Sequence, residues 1–284
     1  MAVDLHLHSS YSDGSDDPAA VVALAVEAGL TALALTDHDN LNGIAAARSA
    51  ARTAGIRFIP GTELSVNWNT GSMHMLVYFL EPGPGPFADA LTALQGSRED
   101  RNRAMANRLT DLGLEVSYAE AAEEAGGTGI GRPHFAAVLV RKGHVSDIKE
   151  AFDRFLANDR PGYVPRRRLE AIEAVRLARA SAAVPVIAHP HTLGVSRSDY
   201  SDAFGDLVDA GLGGIEAYYP QYEPPIREHL AEVCRQLGIV PTGGSDYHGS
   251  YKPGLSVGSG RGDLVVPDET VDLLEEERSR GTPA

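Results

Sequence analysis

One phrase recurs along the chain and restricts the folds open to it: an Ala-rich, helix-compatible stretch stops at a glycine, and a short apolar run follows that ends in polar residues. It is written "AVEAGLTALALTDHD", "AARTAGIRFIPGTELSV", "LVDAGLGGIEAYYP" and "VCRQLGIVPTGGSDYHG". Gly29, Gly55, Gly211 and Gly238 stand where a helix ends in a left-handed residue. Asp17 before Pro18 reads as an N-cap followed by the first helical position. Short apolar strands alternating with amphipathic helices predict parallel β/α units with right-handed crossovers, hence an α/β layer or barrel. "AVDLHLHSS", "SMHMLVYFLEP" and "AAVPVIAHPHT" bring the predicted strands to seven.

The phrase lapses between 81 and 170. "EPGPGPF" punctuates the chain, and helix-like stretches then run through "ADALTALQGSREDRNRAMANRLTDLG", "SYAEAAEEAG", "RPHFAAVLVRKG" and "IKEAFDRFLAND". The expected organisation is a first barrel part over 1–80, a mostly helical insertion over 81–170, and a second barrel part over 171–284. The last closes with "DETVDLLEEERSRGTPA", read as a capped acidic helix with a frayed end.

With 284 residues, 43% of them hydrophobic, the chain can bury one large core or two modest ones. The start has no basic segment followed by an apolar one, no run approaches a membrane span, and Cys234 is the sole cysteine. These features predict a reducing, cytoplasmic protein without disulfides or membrane contact. The net charge of −14 disfavours duplex DNA as a partner. The charge is uneven, however: 13 basic and 14 acidic residues fall in 81–170, net −1, and the other 12 basic and 25 acidic residues give −13. An anion is better received in the middle third, unless metal ions offset the acidic remainder.

In a strand, His6 and His8 would point to one face, with Asp4 on it as well. Such an H-x-H pair is by itself an ordinary surface or core feature. The predicted strand ends add more residues of the same kind: Asp13 after the first strand, Asp37 and His38 after the second, and Glu63 after the third. His74 opens the fourth, His189 ends the fifth, and "GGSDYHG" supplies Asp246 and His248. Taken singly, His74 could be a solvated histidine and Asp37 a helix cap. Taken together, six of the ten histidines stand beside carboxylates at the rim where barrel enzymes gather functional groups. Imidazole and carboxylate without thiolate favour Zn, Mn or Fe over Mg or Ca, and the number of groups implies two or three ions.

"DLHLHSSYSDG", "LTDHDN", "GTELSV", "MHMLVYFL", "IAHPH" and "GGSDYHG" resemble, in order, the motifs of the PHP (polymerase and histidinol phosphatase) family. "GRPHFA", "GYVPRRR" and "SREDRNR" resemble the insertion of its branch of 3′,5′-nucleoside bisphosphatases and 5′-3′ exoribonucleases. The resemblance implies a distorted seven-stranded (β/α)7 barrel with two to three divalent ions, Mn ahead of Zn or Fe. His6, His8, Glu63 and Asp246 would hold one ion. Glu63 would bridge to a second held by His74 and His189, and Asp13, His38 and His248 would hold a third. A metal-bound hydroxide would sit among Glu63, Asp13 and His38. "AHPH" offers His191 where the family usually has a small residue, so His189 and His191 compete for one ligand position. Asp4 and Asp37 are expected to accept an imidazole N–H each and fix its tautomer, or to serve as strand-end hydrogen-bond acceptors.

Arg98, Arg101 and Arg103 lie in one helical stretch, with Arg98 and Arg101 on one face, and Arg132 precedes His134 in "GRPHFA". Facing a phosphoryl-transfer site they become phosphate clamps. Arg101, Asn102, Arg132 and His134 are the expected substrate contacts, Arg98 stands less clearly among them, and the "RRR" of 166–168 reads as a solvated run. The expected activity removes the 3′-phosphate from a nucleoside 3′,5′-bisphosphate such as pAp. The alternatives are 5′-3′ exonucleolytic cleavage of short 5′-phosphorylated RNA, a small-metabolite phosphatase of the histidinol phosphate type, and a non-catalytic scaffold. Oligomeric state is not legible.

Overall fold

The computed structural model describes residues 2–126 and 129–281. Its first part runs β1 (Val3–Leu7), α1 (Pro18–Glu27), β2 (Ala32–Leu35), α2 (Ile44–Ala54), β3 (Arg57–Asn67) and β4 (Met73–Tyr78). A helical stretch follows: α3 (Pro86–Asp111), α4 (Tyr118–Glu124), α5 (Arg132–Arg141) and α6 (Ile148–Ala151), which continues into a π turn at Phe152–Leu156. The chain then returns through β5 (Leu169–Glu170), α7 (Ala171–Ala180), β6 (Val184–Ala188), α8 (Tyr200–Asp209), β7 (Gly214–Tyr218), α9 (Pro224–Leu237), β8 (Val240–Gly243) and α10 (Glu269–Arg280). The frayed end expected after α10 falls on residues 282–284, which lie outside the described residues.

Local chemistry explains these boundaries. The Asp17 carboxylate accepts from the N–H groups of Ala19 and Ala20, both at 2.9 Å, and Pro18 opens α1. Gly29, Gly55, Gly211 and Gly238 all have positive φ, from 69° to 110°. Ser117 and Glu120 form a reciprocal capping box at α4.

Seven strands follow one another around a nearly closed barrel in the order β1-β2-β3-β4-β6-β7-β8, with β5 paired to the end of β3. The seam is bridged where Asp246 N–H donates to His6 O at 2.9 Å and His8 N–H donates to Tyr247 O at 3.0 Å. The strands are not all parallel, as the β/α pattern led one to expect: β4 runs antiparallel to both β3 and β6. The segment from Trp68 to Ser72 is too short for a crossover helix, so β3 and β4 form a hairpin. His74, near the N-terminal end of β4, thereby reaches the same rim as the C-terminal ends of its neighbours, opposite Ser65 of β3 and Ala188 of β6.

A second departure lies in β1. Asp4 pairs with Leu33 and Leu7 with Leu35, three residues against two, so β1 carries a bulge. Leu7 packs outward with Leu33 and Leu35 against the helices, whereas Leu5 joins Leu76, Tyr78 and Val186 in the barrel interior. Leu5 and His6 therefore both turn inward, and Asp4 does not share the face of His6 and His8.

The helical stretch has its own apolar cluster, with Met105, Leu109, Phe135, Leu139 and Leu156 at its centre. It is fastened to the barrel by the first half of α3, whose Phe87, Leu91 and Leu94 lie in the cluster between barrel and outer helices. Each such burial contributes about 1.5–3 kcal/mol.

Gly244 follows β8 where that strand meets β1. A Cβ there would come within 2.4 Å of His6 N and 2.8 Å of an Asp4 carboxylate oxygen. Gly244→Ala is expected to cost about 1–3 kcal/mol of stability by overpacking and to displace His6. Thermal unfolding together with metal titration measures both effects.

Candidate metal centre

Bulge, hairpin and strand ends converge on Glu63, in the middle of β3 and 1% exposed. Its Oε2 lies 3.2 Å from His6 Nε2, 3.1 Å from His8 Nε2 and 3.4 Å from His38 Nδ1. Its Oε1 lies 2.7 Å from His74 Nδ1 and 3.0 Å from His189 Nε2. Burial raises the Glu63 pKa, but the imidazoles of His38, His74 and His6 outweigh it and hold the carboxyl well below its usual range.

Around this hub, ligand-type atoms gather within 4.8 Å of one another in three overlapping groups: His6, His8, Glu63 and Asp246; His8, Asp13, His38 and His248; and His38, Glu63 and His74. Asp246 Oδ1 is 3.6 Å from His6 Nε2 and 3.5 Å from His8 Nε2. Asp13 Oδ1 is 3.3 Å from His248 Nε2 and 3.7 Å from His38 Nε2, and it is buried without a hydrogen-bond partner. Burial pushes His74 down to about 4, so this imidazole is neutral at ordinary pH, as a ligand must be. Clustered imidazoles and carboxylates, an orphaned buried carboxylate oxygen and no thiolate fit divalent transition ions. The backbone is itself unusual here. Asp39, His189 and Asp246 are three of the six described non-glycine residues with positive φ, a conformation that costs energy and collects at functional sites.

The structure separates the two competing histidines. His189 Nε2 meets Glu63, while the Nδ1 and backbone N–H of the exposed His191 both lie beside the Tyr222 hydroxyl, at 3.0 and 3.1 Å. It also changes the roles of two aspartates. Asp4, turned outward by the bulge, accepts from the backbone N–H groups of His6, Ser245 and Gly258 at 3.3, 2.9 and 2.8 Å. Asp37 accepts from the Ser9 N–H at 2.8 Å and from the Ser9 and Ser12 hydroxyls, both at 2.6 Å. Neither meets an imidazole, and both fix loops, the strand-end role foreseen as their alternative.

A carboxylate outside the candidate ligand set that does meet an imidazole is Glu216 of β7, absent from the sequence-derived set. Its Oε1 lies 2.9 Å from His6 Nδ1, and its Oε2 accepts the His189 N–H at 2.7 Å. The signal was a single carboxylate within the apolar strand "GGIEAYY". Tyr219 and Lys252 were missed as well: the Tyr219 hydroxyl donates to Asp246 Oδ2 at 2.7 Å, and the Lys252 ammonium donates to the same oxygen. Asp246 Oδ1 is thereby left toward His6 and His8.

One wall of a chamber of about 530 Å³ holds Asp13, His38, His74 and His248, and Arg98, Arg101, Arg132, Arg166 and Arg168 also line it. Arg166 is no solvated residue: its side chain is 6% exposed and reaches Asp39 at 2.7 Å and Ser65 Oγ at 2.9 Å. Arg168 bonds the Tyr163 hydroxyl at 3.3 Å, and the middle residue, Arg167, is exposed as expected. Arg132 donates to Leu156 O at 3.2 Å and Asn158 Oδ1 at 3.4 Å. Arg103 faces away, paired with Glu99 over the Tyr118 ring. Asn102 donates to Ile130 O at 2.8 Å and lines a smaller adjoining cleft. His134 does not line the chamber: it is buried, and its Nδ1 accepts the Gly131 N–H at 2.9 Å at the start of α5.

A near-closed α/β barrel with this histidine and carboxylate rim defines a metal-dependent phosphoesterase. The chain belongs to the PHP domain family, whose model matches residues 4–163. It is 32% identical over 257 residues to the 3′,5′-nucleoside bisphosphate phosphatase of Chromobacterium violaceum, covering 90% of each chain. It is 34% identical over 261 residues to the phosphoribosyl 1,2-cyclic phosphate 1,2-diphosphodiesterase of Eggerthella lenta, covering 88% of this chain and 95% of the other. The 5′-3′ exoribonuclease Rnm of Salmonella typhimurium is 30% identical over 247 residues, covering 86% and 84%. Among solved structures, a candidate metal-dependent phosphoesterase from Bifidobacterium adolescentis superposes with a TM-score of 0.85 at 26% identity, covering 97% and 96%.

Glu216→Gln keeps the shape beside His6 and removes the charge. Loss of such a carboxylate partner is expected to weaken metal binding roughly 10- to 100-fold, measured by competition with a chromophoric chelator.

Proposed function

We propose that the chain hydrolyses the 3′-phosphate of a nucleoside 3′,5′-bisphosphate, converting pAp and water to AMP and phosphate. The observation that carries this reading is the chamber with two kinds of wall. Candidate metal ligands stand on one side, and among the arginines the Arg101 Nε, Arg166 Nη1 and Arg168 Nε groups are buried without partners. Burial, with Arg98, Arg132 and Arg166 nearby, pushes Arg101 well below its ordinary value. A second phosphate would meet these donors and relieve the repulsion.

His6, His8, Glu63 and Asp246 would hold one ion, Glu63, His74 and His189 a second, and Asp13, His38 and His248 a third. We take Mn first, with Zn or Fe suited to the same donors. Bound there, divalent ions neutralise a phosphate and bring the pKa of water toward neutrality. The protein's own residues do the rest. Tyr219 and Lys252 fix one oxygen of Asp246, Glu216 orients His6, and the arginines hold the phosphate that is not cleaved, so that the 3′-ester lies at the ligand wall. We place this activity in the cytoplasm. Cys234 is a free, buried thiol, and among the described residues no helix is long and apolar enough to cross a membrane.

A second reading has its own support. The Eggerthella lenta relative acts on a phosphoribosyl 1,2-cyclic phosphate, which like pAp is a phosphorylated ribose with a second phosphoester on the ring. Short 5′-phosphorylated RNA shares the phosphate-bearing end. Phosphate and nucleotide release with Mn added should be compared across pAp, 3′-AMP, phosphoribosyl 1,2-cyclic phosphate, short 5′-phosphorylated RNA and histidinol phosphate. The expected result is the highest kcat/KM for pAp. Faster turnover of the cyclic phosphate moves the activity to the second reading, and faster turnover of histidinol phosphate rejects both.

Arg101→Ala removes a charge-assisted contact to the second phosphate alone. It should lower kcat/KM for pAp on the order of 10- to 150-fold and leave 3′-AMP nearly unchanged. An equal loss on both substrates would place Arg101 at the scissile phosphate.

A further inference from the structure

Asp39 follows the candidate ligand His38 and is completely buried. Its Oδ2 accepts from Arg98 Nε at 3.2 Å and from Arg98 Nη2 at 2.6 Å, and it forms an ion pair with Arg166 Nη2 at 2.7 Å. Its backbone is tied down on both sides. The N–H donates to Glu63 O at 3.1 Å, and the carbonyl accepts Gln95 Nε2 of α3 at 2.8 Å. One side chain on the barrel rim thus joins the outgoing helix of the helical stretch, α3, through Arg98, to its returning end, through Arg166. Arg166 Nη1 remains buried and without a partner beside the chamber.

A carboxylate is an odd neighbour for an anion site, because its charge repels the ligand. It earns its place only through geometry. Two guanidinium groups that would otherwise repel each other are fixed on one oxygen, so their remaining N–H groups face the chamber without reorganisation when a phosphate arrives. We infer that Asp39 is a positioning residue for the anion site of the chamber, holding Arg98 and Arg166 in the orientation that receives the phosphate remote from the metal ligands. This rests on the proposed reading only in that the chamber takes a phosphorylated ribose. Because Asp39 directly follows His38, beyond the end of β2, the same pairing also sets the distance between the two walls, which makes Asp39 a determinant of the ribose ligands that span them.

The sign of one substitution separates positioning from mere charge balance. Asp39→Asn removes a negative charge and keeps the shape, and asparagine tolerates the φ of +54° found at this position. If Asp39 only balanced charge, its loss would tighten the binding of an anion. If it positions the arginines, binding weakens. Calorimetric titration of the full-length, Mn-loaded chain with ribose 5-phosphate is expected to show roughly tenfold weaker binding by Asp39→Asn than by wild type, with metal content unchanged. Asp39→Glu is read alongside: it keeps the charge but moves it by one methylene, so positioning predicts a similar loss and charge balance predicts wild-type affinity. Equal or tighter binding by folded Asp39→Asn, wild-type affinity in Asp39→Glu, or no binding of ribose 5-phosphate by the wild type would overturn the inference. Wild-type turnover of pAp is scored separately, so that failure of the substrate reading leaves the titration result standing.

Discussion

Both oxygens of one buried carboxylate face five imidazoles, and most of what distinguishes this barrel serves to bring those rings to Glu63. Three of them reach Oε2 and two reach Oε1, all within 3.4 Å. Regular parallel strands would not supply this arrangement. His6 is turned inward beside Leu5 by the bulge in β1. His74 reaches the rim because its strand runs against its neighbours. His189 is delivered by a backbone conformation that only a well-packed site sustains, with φ of 26°.

The second half of the site solves an opposite problem. The rim concentrates carboxylates in a chain of net charge −14, yet the chamber must receive an anion. Five arginines line it, and among the described residues Asp39 is the one carboxylate that pairs with Arg98 and Arg166 there. Burying cations with so little compensation is costly for a folded protein, and a phosphate bound there, as proposed above, would remove that cost. Ligand wall and arginine wall come from different parts of the chain, the barrel strands and the helical stretch. The first half of α3, packed against the barrel, sets the spacing between them.

Much of this was legible in the sequence because it is periodic or chemically rare. The glycine stops, the seven barrel strands, the helical stretch and the concentration of histidines beside carboxylates follow from residue type and spacing. What escaped was whatever depends on register or long-range packing. Period-two alternation put Asp4 with His6 and His8, and a single inserted residue undid it. Glu216 stood in plain view in an apolar strand but could be matched to His6 only once β7 was placed across the barrel. Arg166 and Arg168 looked like a solvated run because three consecutive arginines usually are one; the partial burial of two of the three is decided by the return of the chain past Ser65 and Tyr163. His134 carried the opposite error, a buried helix-capping residue read as a substrate contact.

Glu63 belongs to two of the three candidate metal groups, and the proposed centre requires that two ions share it. The most direct test is an anomalous difference map from crystals of the Mn-loaded protein, collected on both sides of the Mn absorption edge. The arrangement predicts two or three peaks, with Glu63 within bonding distance of two of them and His6, His8 and Asp246 around one. A single ion, or ions that leave Glu63 without a metal bond, would contradict it.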